Sequence, residues 1–502
     1  MTRHVVTPGS RRPGGLLIAA ATALALASTA CGARLPGDVR SQAERAALSQ
    51  RVGAVAAPQA AEPTAAAPNP VTSGGTVLPP VGSGSGVPSA AAPGPGSVRS
   101  AAASAAPTTG SGPDCSGGTD VGLTASTLAL GEVVTLTGPV SGLFQGAEQG
   151  GEAFANYVNS TSGGICGRQV KVDIADDGTN CTQDENATQS LAGKTFALSG
   201  TFALYDGCGA SIVKANPGIA DIHVALDPSA YIPANHFDVT AGGNGYGTGM
   251  FQYYKQKLGS KLDHVGTIVE DIPSAVEEQQ NQVRSAEAEG WHFVDSILEQ
   301  PTNSNFQNDF VKLCQQEHIQ VFFELTETAA NAATMVQNEH QAGCPSSLVN
   351  IIPIAYDQAF LADYSGPASQ LDGILGWNSY ALFFNKDEAT RIPEVKTFQD
   401  WFERTYPGQP INLYAMYAWA DDRLFQQAAE SVHGTLDRKT LMSSLRRIKD
   451  FDANGLIAPV SPAAKGGPHC YILWELENGG FQRVDDPKSG YRCDGRFLAK
   501  GA

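Results

Sequence analysis

The feature that most limits what this chain can fold into is the position of its large aromatic residues. Every Phe, Trp and Tyr of the 502-residue sequence lies at or after Phe144. Each buried aromatic ring removes a large apolar area from water, so a segment without rings is poorly equipped to build a core. The folded part is therefore expected to begin shortly before Phe144, which leaves enough chain for two lobes of ordinary domain size.

The first 113 residues predict an export signal and a tether. Residues 1–15 carry three arginines and no acid, and the apolar run that follows, about 15 residues long, is shorter than the roughly 20 that a membrane helix needs. Residues 1–30 are therefore interpreted as a signal peptide. Small residues precede Cys31, which resembles a lipobox cysteine that becomes lipidated; ordinary cleavage beside an incidental cysteine is the alternative. Residues 31–113, rich in Ala, Pro, Gly and Ser, predict a flexible tether because they cannot bury enough surface to offset their ordering entropy.

Charge and cysteine content narrow the class of protein. The formal net charge of −17 disfavours nucleic acid and anionic membrane surfaces as direct partners. Of nine cysteines, eight remain once Cys31 is set aside, and an even number in an exported protein suggests disulfides. None forms a C-x-x-C pair, so a zinc site of the usual spacing is not expected. The eight are Cys115, Cys166, Cys181, Cys208, Cys314, Cys344, Cys470 and Cys493.

After residue 126 the apolar pattern alternates between strand and helix periods. The first block predicts strands at 127–136, 169–175 and 196–200 and helices at 143–159 and 184–191. After a Gly-rich stretch, the second block predicts strands at 265–270, 293–297, 321–324 and 348–354 and helices at 275–289, 306–317 and 329–341. Such alternation predicts parallel βαβ units, and two blocks of similar length predict two α/β lobes.

Several local stretches carry a resemblance to a known family. They are GEVVTLTGPVSG at 131–142, Asp176-Asp177 with the nearby Cys181, NLYAMYAWADDRLFQQAA at 412–429, and residues 450–462. In order and spacing the chain resembles the type I periplasmic binding proteins of the branched-chain amino-acid (Leu/Ile/Val-binding) type, which are substrate-binding lipoproteins of ABC transporters.

The resemblance implies an α/β fold of two Rossmann-like lobes, joined by a hinge of three crossings, with a ligand cleft between them. Lobe I would comprise residues 114–241 plus 373–450, and lobe II residues 242–372 plus 451–496. Ligands would lie at the carboxyl ends of the strands, as is usual in open α/β sheets. This layout also implies the disulfides, of which the first resembles a family disulfide: Cys181–Cys208, Cys115–Cys166, Cys314–Cys344 and Cys470–Cys493.

The loops after the implied strands supply the candidate ligand-binding residues. In the first lobe they are Phe144, Gln145, Thr201, Phe202, Ala203, Tyr205, Leu226, Asp227 and Ser229; in the second they are Asp271, Thr326 and Tyr356. Core packing is the alternative for Phe144, Tyr205 and Tyr356, and capping of the next helix is the alternative for Asp271.

The loop at 201–205 departs from the amino-acid binders of this family. Those proteins present Ser or Thr there to the α-carboxylate, whereas this loop is largely apolar, with the hydroxyl of Thr201 at its start. The set of hydroxyls that would bind the α-carboxylate of an amino acid is therefore not expected in this loop. The ligand class stays open among an amino acid, an amide, a related organic acid and a larger hydrophobic metabolite.

No catalytic site, cofactor or metal site is expected. Gly193-Lys194-Thr195 ends a predicted helix and precedes a strand, the reverse of the order in a phosphate-binding loop. The folded part contains no G-x-S-x-G, and the nine histidines form no H-E-x-x-H. The expected role is a monomeric receptor, lipid-anchored outside the cell membrane, that delivers a small molecule to an ABC permease. The alternative is an envelope sensing module of the same fold without a transporter.

Overall fold

The computed structural model describes residue 115 and residues 117–240, 245–324, 328–465, 469–485 and 490–499. Cys31, the predicted signal peptide and nearly all of the predicted tether lie outside the described residues. Residues 103–502 form one compact unit, to which the following description applies.

The described residues contain 14 strands and 12 α-helices. The strands are β1 Thr127–Val134, β2 Gln169–Asp176, β3 Ala197–Ser199, β4 Asp221–Ile222, β5 His236–Phe237, β6 Gly245–Gly247, β7 Val265–Glu270, β8 Phe293–Glu299, β9 Val321–Phe323, β10 Val349–Ile351, β11 Leu375–Asn378, β12 Ile472–Glu477, β13 Gly480–Arg483 and β14 Phe497–Ala499. The helices are α1 Gln145–Thr161, α2 Cys181–Ala192, α3 Asp206–Ala215, α4 Gly249–Leu258, α5 Pro273–Glu287, α6 Gln307–Val311, α7 Ala329–Gln341, α8 Gln358–Asp363, α9 Lys386–Arg391, α10 Pro393–Thr405, α11 Leu413–Glu430 and α12 Arg438–Leu445. A π-helical turn, Lys312–Gln316, continues α6.

The first sheet has the strand order β2-β1-β3-β4-β5, and its strands pair in parallel. The strand β1 is buried along most of its length, as expected for a parallel strand covered on both faces. Helix α1 buries Ala147, Phe154 and Val158, which recur at helical spacing. It ends before Gly164, which has a positive φ and donates its N–H to the Val158 carbonyl, a bond that satisfies one terminal carbonyl of the helix.

The second sheet has the order β13-β12-β11-β10-β9-β7-β8, parallel from β8 to β11 and antiparallel at β12 and β13. Strand β11 pairs with β10 and β12, so the chain leaves this sheet after Asn378. This pairing favours a lobe limit after Asn378 over the predicted limit at residue 373. An apolar run shows that a strand is buried but not which sheet it joins. The two sheets confirm the predicted fold of two α/β lobes.

The helices after β11 return to the first lobe. The ring of Trp419 on α11 lies 5.2 Å from the ring of Phe154 on α1, and its indole N–H donates to Glu394 at 2.7 Å. At the start of α12, the Arg438 guanidinium donates to the carbonyl of Ala192 at 3.0 Å. These contacts join α11 to α1 and α10, and join the start of α12 to the end of α2.

Four disulfides hold the loops of both lobes, and all four predicted pairings are confirmed. They are Cys115–Cys166, Cys181–Cys208, Cys314–Cys344 and Cys470–Cys493. Each bridge closes a chain segment of between 23 and 51 residues. Among the helices that the structure describes, none combines the length and the hydropathy of a membrane-spanning segment.

Candidate functional site

The carboxyl end of β1 is tied to the loop that the sequence singles out at 201–205. The N–H of Thr135 donates to the Phe202 carbonyl at 3.0 Å, and the N–H of Leu204 donates to the Thr135 hydroxyl at 2.9 Å. The same hydroxyl donates to Asp177 at 2.9 Å. Thr135 therefore fixes the loop against the edge of the first sheet, at the point where strands β1 and β3 end.

Thr201, the residue expected to provide a hydroxyl for a ligand carboxylate, faces the sheet. Its Oγ1 accepts a hydrogen bond from the Val133 N–H at 3.2 Å, and the side chain is buried. Ala203 is also buried. Phe202 is buried as well, so only Leu204 and Tyr205 of this loop are partly exposed.

Aromatic side chains of the first lobe form a continuous set that we call the aromatic row: Phe144, Phe202, Tyr414, Tyr417 and Tyr380. The ring of Tyr414 lies 4.7 Å from that of Phe144 and 5.4 Å from that of Phe202. The ring of Tyr417 lies 5.5 Å from that of Tyr380, two residues after β11. Tyr414 is partly buried and the other four rings are buried, so the row extends from the end of β1 to the segment in which the chain leaves the second sheet.

Helix α11 provides two rings of the row that the sequence prediction missed. The side chain of Asn412 caps α11 by accepting the Ala415 N–H at 3.1 Å, which fixes the first turn and therefore Tyr414. One turn later, the Tyr417 hydroxyl lies 3.1 Å from the hydroxyl of Ser379, the residue that follows β11. The Asn412-x-Tyr414-x-x-Tyr417 spacing was visible in the sequence, but its position beside Phe144 depends on the return of the chain to the first lobe.

The second lobe faces the aromatic row with carboxylates at three neighbouring strand ends. Glu270 ends β7, Glu324 follows β9 and Asp357 precedes α8 after β10, and β10, β9 and β7 are adjacent in the sheet. Burial raises the pKa of Tyr414, and the negative charges of these three carboxylates raise it further. Burial also raises the pKa of Asp357 to about 6. All three carboxylates are buried, and Tyr414 is where the rings of the first lobe approach the acids of the second lobe. These two sides differ in chemistry.

The loop at 225–229 is held by the first turn of α3. The N–H groups of Leu226 and Asp227 donate to the two carboxylate oxygens of Asp206 at 2.6 and 2.9 Å. Asp227 in turn accepts hydrogen bonds from the N–H and hydroxyl of Ser229 at 2.7 and 2.6 Å. The polar groups of this loop are thus largely used to hold its own shape at the end of β4.

The remaining predicted site residues occupy different environments. Gln145 is exposed at the start of α1. Asp271 accepts a hydrogen bond from Gln300 at 3.3 Å and does not cap the following helix, whose N-cap is Ile272. Tyr356 is fully buried, its ring lies 4.6 Å from that of Phe481, and its hydroxyl accepts the Phe384 N–H at 2.8 Å. Thr326 lies outside the described residues.

Beneath the first-lobe edge, the fold also brings together Asp221, His223 and His236, whose potential metal-binding atoms all lie within 4.8 Å of one another. All three side chains are buried. The sequence prediction assigned no metal site, because Asp221 and His236 lie too far apart in the chain to form a recognisable motif. The D-x-H and H-x-D pairs at 221–223 and 236–238 were the available signal.

Comparison with solved structures shows which proteins share this fold. A fatty acid ABC transporter substrate-binding protein from Thermomonospora curvata is 16% identical, with 74% of this chain and 94% of that chain covered and a TM-score of 0.60. A solute-binding protein from R. palustris in complex with benzoate is 18% identical, with 75% and 99% covered and a TM-score of 0.57. The substrate-binding protein LivJ from Streptococcus pneumoniae, in complex with isoleucine, is 16% identical, with 72% and 99% covered and a TM-score of 0.57.

At these identities the likeness establishes the fold. None of the curated proteins matches this chain. The sequence profile described as periplasmic binding protein matches residues 127–480, which is most of the chain and spans the strands and helices of both lobes. The chain therefore belongs to the periplasmic binding protein family.

Proposed function

We propose that this protein captures a small organic molecule between its two lobes outside the cell membrane and delivers it to an ABC permease, without catalysing a reaction. Family membership supports a small-molecule ligand and an extracytoplasmic location. The observation that carries the proposal is the aromatic row, whose Tyr414 lies near three acidic strand ends of the second lobe. A ligand that touches both sides would favour the closed arrangement of the lobes.

The chemistry of the two sides indicates a class of ligand. Rings of the aromatic row can cover an apolar or aromatic body, and they also attract a cation. Carboxylates accept hydrogen bonds from ammonium or amide N–H groups. Thr201, the hydroxyl that would meet an α-carboxylate, already accepts the Val133 N–H. We therefore favour an amine or amide with an apolar body over a free α-amino acid.

The N-terminal residues complete the proposed role. Cys31 would carry the lipid anchor, residues 1–30 would be removed as a signal peptide, and residues 31–113 would tether the binding lobes to the membrane. Release of an unlipidated chain is the alternative. Mass spectrometry of the protein extracted from membranes would decide between them, since a diacylglyceryl group on Cys31 changes the mass of the N-terminal peptide.

The lobe limits are also proposed, as residues 114–241 plus 379–450 for lobe I and 242–378 plus 451–496 for lobe II. The predicted first crossing falls beside residues 241–244, which lie outside the described residues.

A monomer is proposed because both sides of the cleft come from one chain. An envelope sensor of the same fold is the second candidate function, and it would bind the same ligand without a permease.

The ligand class can be tested by thermal unfolding of the purified protein against amines, amides, amino acids, aromatic acids and sugars. A ligand that binds only the folded state raises the free energy of unfolding by about 2.7 kcal/mol at 100 times its dissociation constant. We expect the largest rise from amines or amides with an apolar body. Stabilisation by aromatic acids or sugars alone would contradict the proposed ligand class, while leaving solute binding intact.

The location of the site can be tested with Tyr414→Ala. Since Tyr414 contacts the other first-lobe rings and lies near the second-lobe acids, we expect its loss to weaken binding of any ligand found in the screen at least tenfold, about 1.4 kcal/mol. Titration calorimetry measures the change. The matched control is Tyr253→Ala on α4, outside the aromatic row, which should bind as tightly as the unchanged protein. Equal affinities for the two variants would place the ligand elsewhere.

A further inference from the structure

Strands β4 and β5 place two acids and two histidines on one face of the first sheet. In the parallel register of these strands, Asp221 pairs with His236. Because side chains two residues apart point to the same face of a strand, His223 lies beside Asp221 and Asp238 lies beside His236. The result is a small patch in which acid and imidazole alternate.

Both carboxylate oxygens of Asp221 are directed at imidazole nitrogens. Oδ1 lies 3.0 Å from Nδ1 of His223, and Oδ2 lies 3.0 Å from Nδ1 of His236. The side chains of these three residues are at most 5% exposed. Two imidazoles and a carboxylate form a common ligand set for Zn²⁺, and a separation near 3 Å between donor atoms matches neighbouring ligands of one ion with bonds of about 2 Å.

The second nitrogen of each imidazole faces another carboxylate. Nε2 of His223 lies 3.7 Å from Oδ2 of Asp206, and Nε2 of His236 lies 3.6 Å from Oδ2 of Asp238. Both Nε2 atoms are buried and have no hydrogen-bond partner within the part of the chain that the structure describes. A metal-binding histidine usually directs its other ring N–H at a carboxylate. The two histidines and their two acids, Asp206 and Asp238, are placed in that order.

The charges of the cluster favour the same conclusion. The carboxylates of Asp206, Asp221 and Asp238 lie within 3.0 to 3.7 Å of the imidazole nitrogens, so negative charge surrounds the position of the ion. The nearby ammonium of Lys465 donates to the carbonyl of Tyr231 at 2.6 Å, so its hydrogen bonds are directed to the backbone.

The cluster lies between two cavities. Asp221 and His223 line a cavity of about 20 Å³, enough for one water as a fourth ligand. His236 lines a larger cavity of about 360 Å³, which also has Arg446 and Lys449 in its lining. The larger cavity offers a route to the cluster, although its two cationic side chains should make the entry of a metal ion slow.

We propose that Asp221, His223 and His236 bind one Zn²⁺ ion that holds strands β4 and β5 together beneath the carboxyl edge of the first lobe. The ion would have a structural role, because its ligands lie under the loop at 225–229 and not in the cleft. The proposal does not depend on the identity of the transported solute, and a protein that fails to transport could still bind zinc here.

The unchanged protein provides the first test. The purified protein would be stripped with a chelator, incubated for hours with a small excess of ZnCl₂, passed over a desalting column and analysed for metal. We expect one zinc per chain, and X-ray absorption should show only nitrogen and oxygen ligands, with the scattering pattern of imidazole. Absence of retained zinc, or a sulfur shell around it, would overturn the proposal without any variant having to fold.

Variants then identify the ligands. His223→Gln and His236→Gln retain a side-chain N–H for Asp221 and should lower the affinity for Zn²⁺ at least 100-fold. Asp238→Asn alters the outer partner of His236, an acid that also accepts the Ala225 and Thr240 N–H groups, and should lower it roughly 10- to 100-fold. The control is His340→Gln on an exposed position of α7. Circular dichroism without zinc checks folding, and zinc affinity unchanged in both histidine variants would contradict the assignment.

Discussion

Asp422→Asn is expected to stabilise the protein at neutral and alkaline pH, on the order of 4 kcal/mol above pH 7. Asp422 lies on α11 and is fully buried. Burial raises its pKa to about 7, even though the Ser199 hydroxyl donates to Oδ1 at 2.6 Å and opposes the rise. An asparagine has nearly the same shape, can accept the same hydrogen bond and never carries the buried charge.

The pH dependence follows from the direction of the shift. Because the folded pKa lies above the unfolded value near 4, the neutral carboxyl contributes its full stability below about pH 4. That contribution declines as the pH rises and is lost once the pH passes the folded pKa of about 7. Glu132 acts in the same direction, since burial and then the charge of Asp422 raise its pKa.

Urea unfolding at pH 5 and pH 8 measures the effect. The unchanged protein should lose stability between these values. The loss should be smaller by roughly 2.7 kcal/mol in Asp422→Asn, because about two pH units separate pH 5 from the folded pKa of about 7. Some loss should remain, because burial also raises the pKa of Glu339 to about 7. The control is Glu185→Gln at an exposed position of α2, which should not alter the pH dependence. An equal loss in Asp422→Asn and the unchanged protein would contradict the prediction.

Gly150→Ala is expected to destabilise the protein by about 3 kcal/mol, although alanine is the better helix former by about 1 kcal/mol. Gly150 lies within α1, where that helix crosses α11. An ideal Cβ at this position would lie 2.8 Å from Cα of Ala415, and closer still to the Ala415 carbonyl oxygen. Both obstacles are backbone atoms, so the two helices would have to separate.

Urea unfolding again provides the measurement, with the midpoint and slope compared at one pH. Gly218→Ala is the matched control, because Gly218 is exposed and a Cβ there would meet no described atom within 4 Å. We expect its stability to change by less than about 1 kcal/mol. If Gly150→Ala were instead as stable as the unchanged protein, the close approach of α1 and α11 in the structure would be wrong.

The candidate site was only partly predictable from the sequence. The loop at 201–205 was recognised as apolar, and the structure shows Thr201 hydrogen-bonded within the lobe. Tyr414 and Tyr417 were not assigned to the site, because a helix more than 200 residues further along the chain brings Tyr414 to Phe144 and Tyr417 to Phe202. Tyr356 follows a strand end, as the ligand prediction required, yet its ring lies inside the second lobe.

The sequence by itself determined the features that depend on local order. The periodicity of apolar side chains located β7 and α7 with the same bounds as the structure, and the alternation of strand and helix periods indicated two α/β lobes. The resemblance to a family implied the four disulfide pairings. The predictions of strands and helices succeeded because side-chain direction repeats with the backbone period, which any short stretch of sequence displays.

Only the tertiary structure decided the features that depend on which distant segments meet. The register of β4 against β5 brings His236 beside Asp221, and the return of α11 to the first lobe gives Gly150 no room for a side chain. The same return places Asp422 in an interior where burial raises the pKa of its carboxyl to about 7. Burial, charge and steric fit are properties of neighbours in space, and residues far apart in the chain become neighbours only when both lobes have folded.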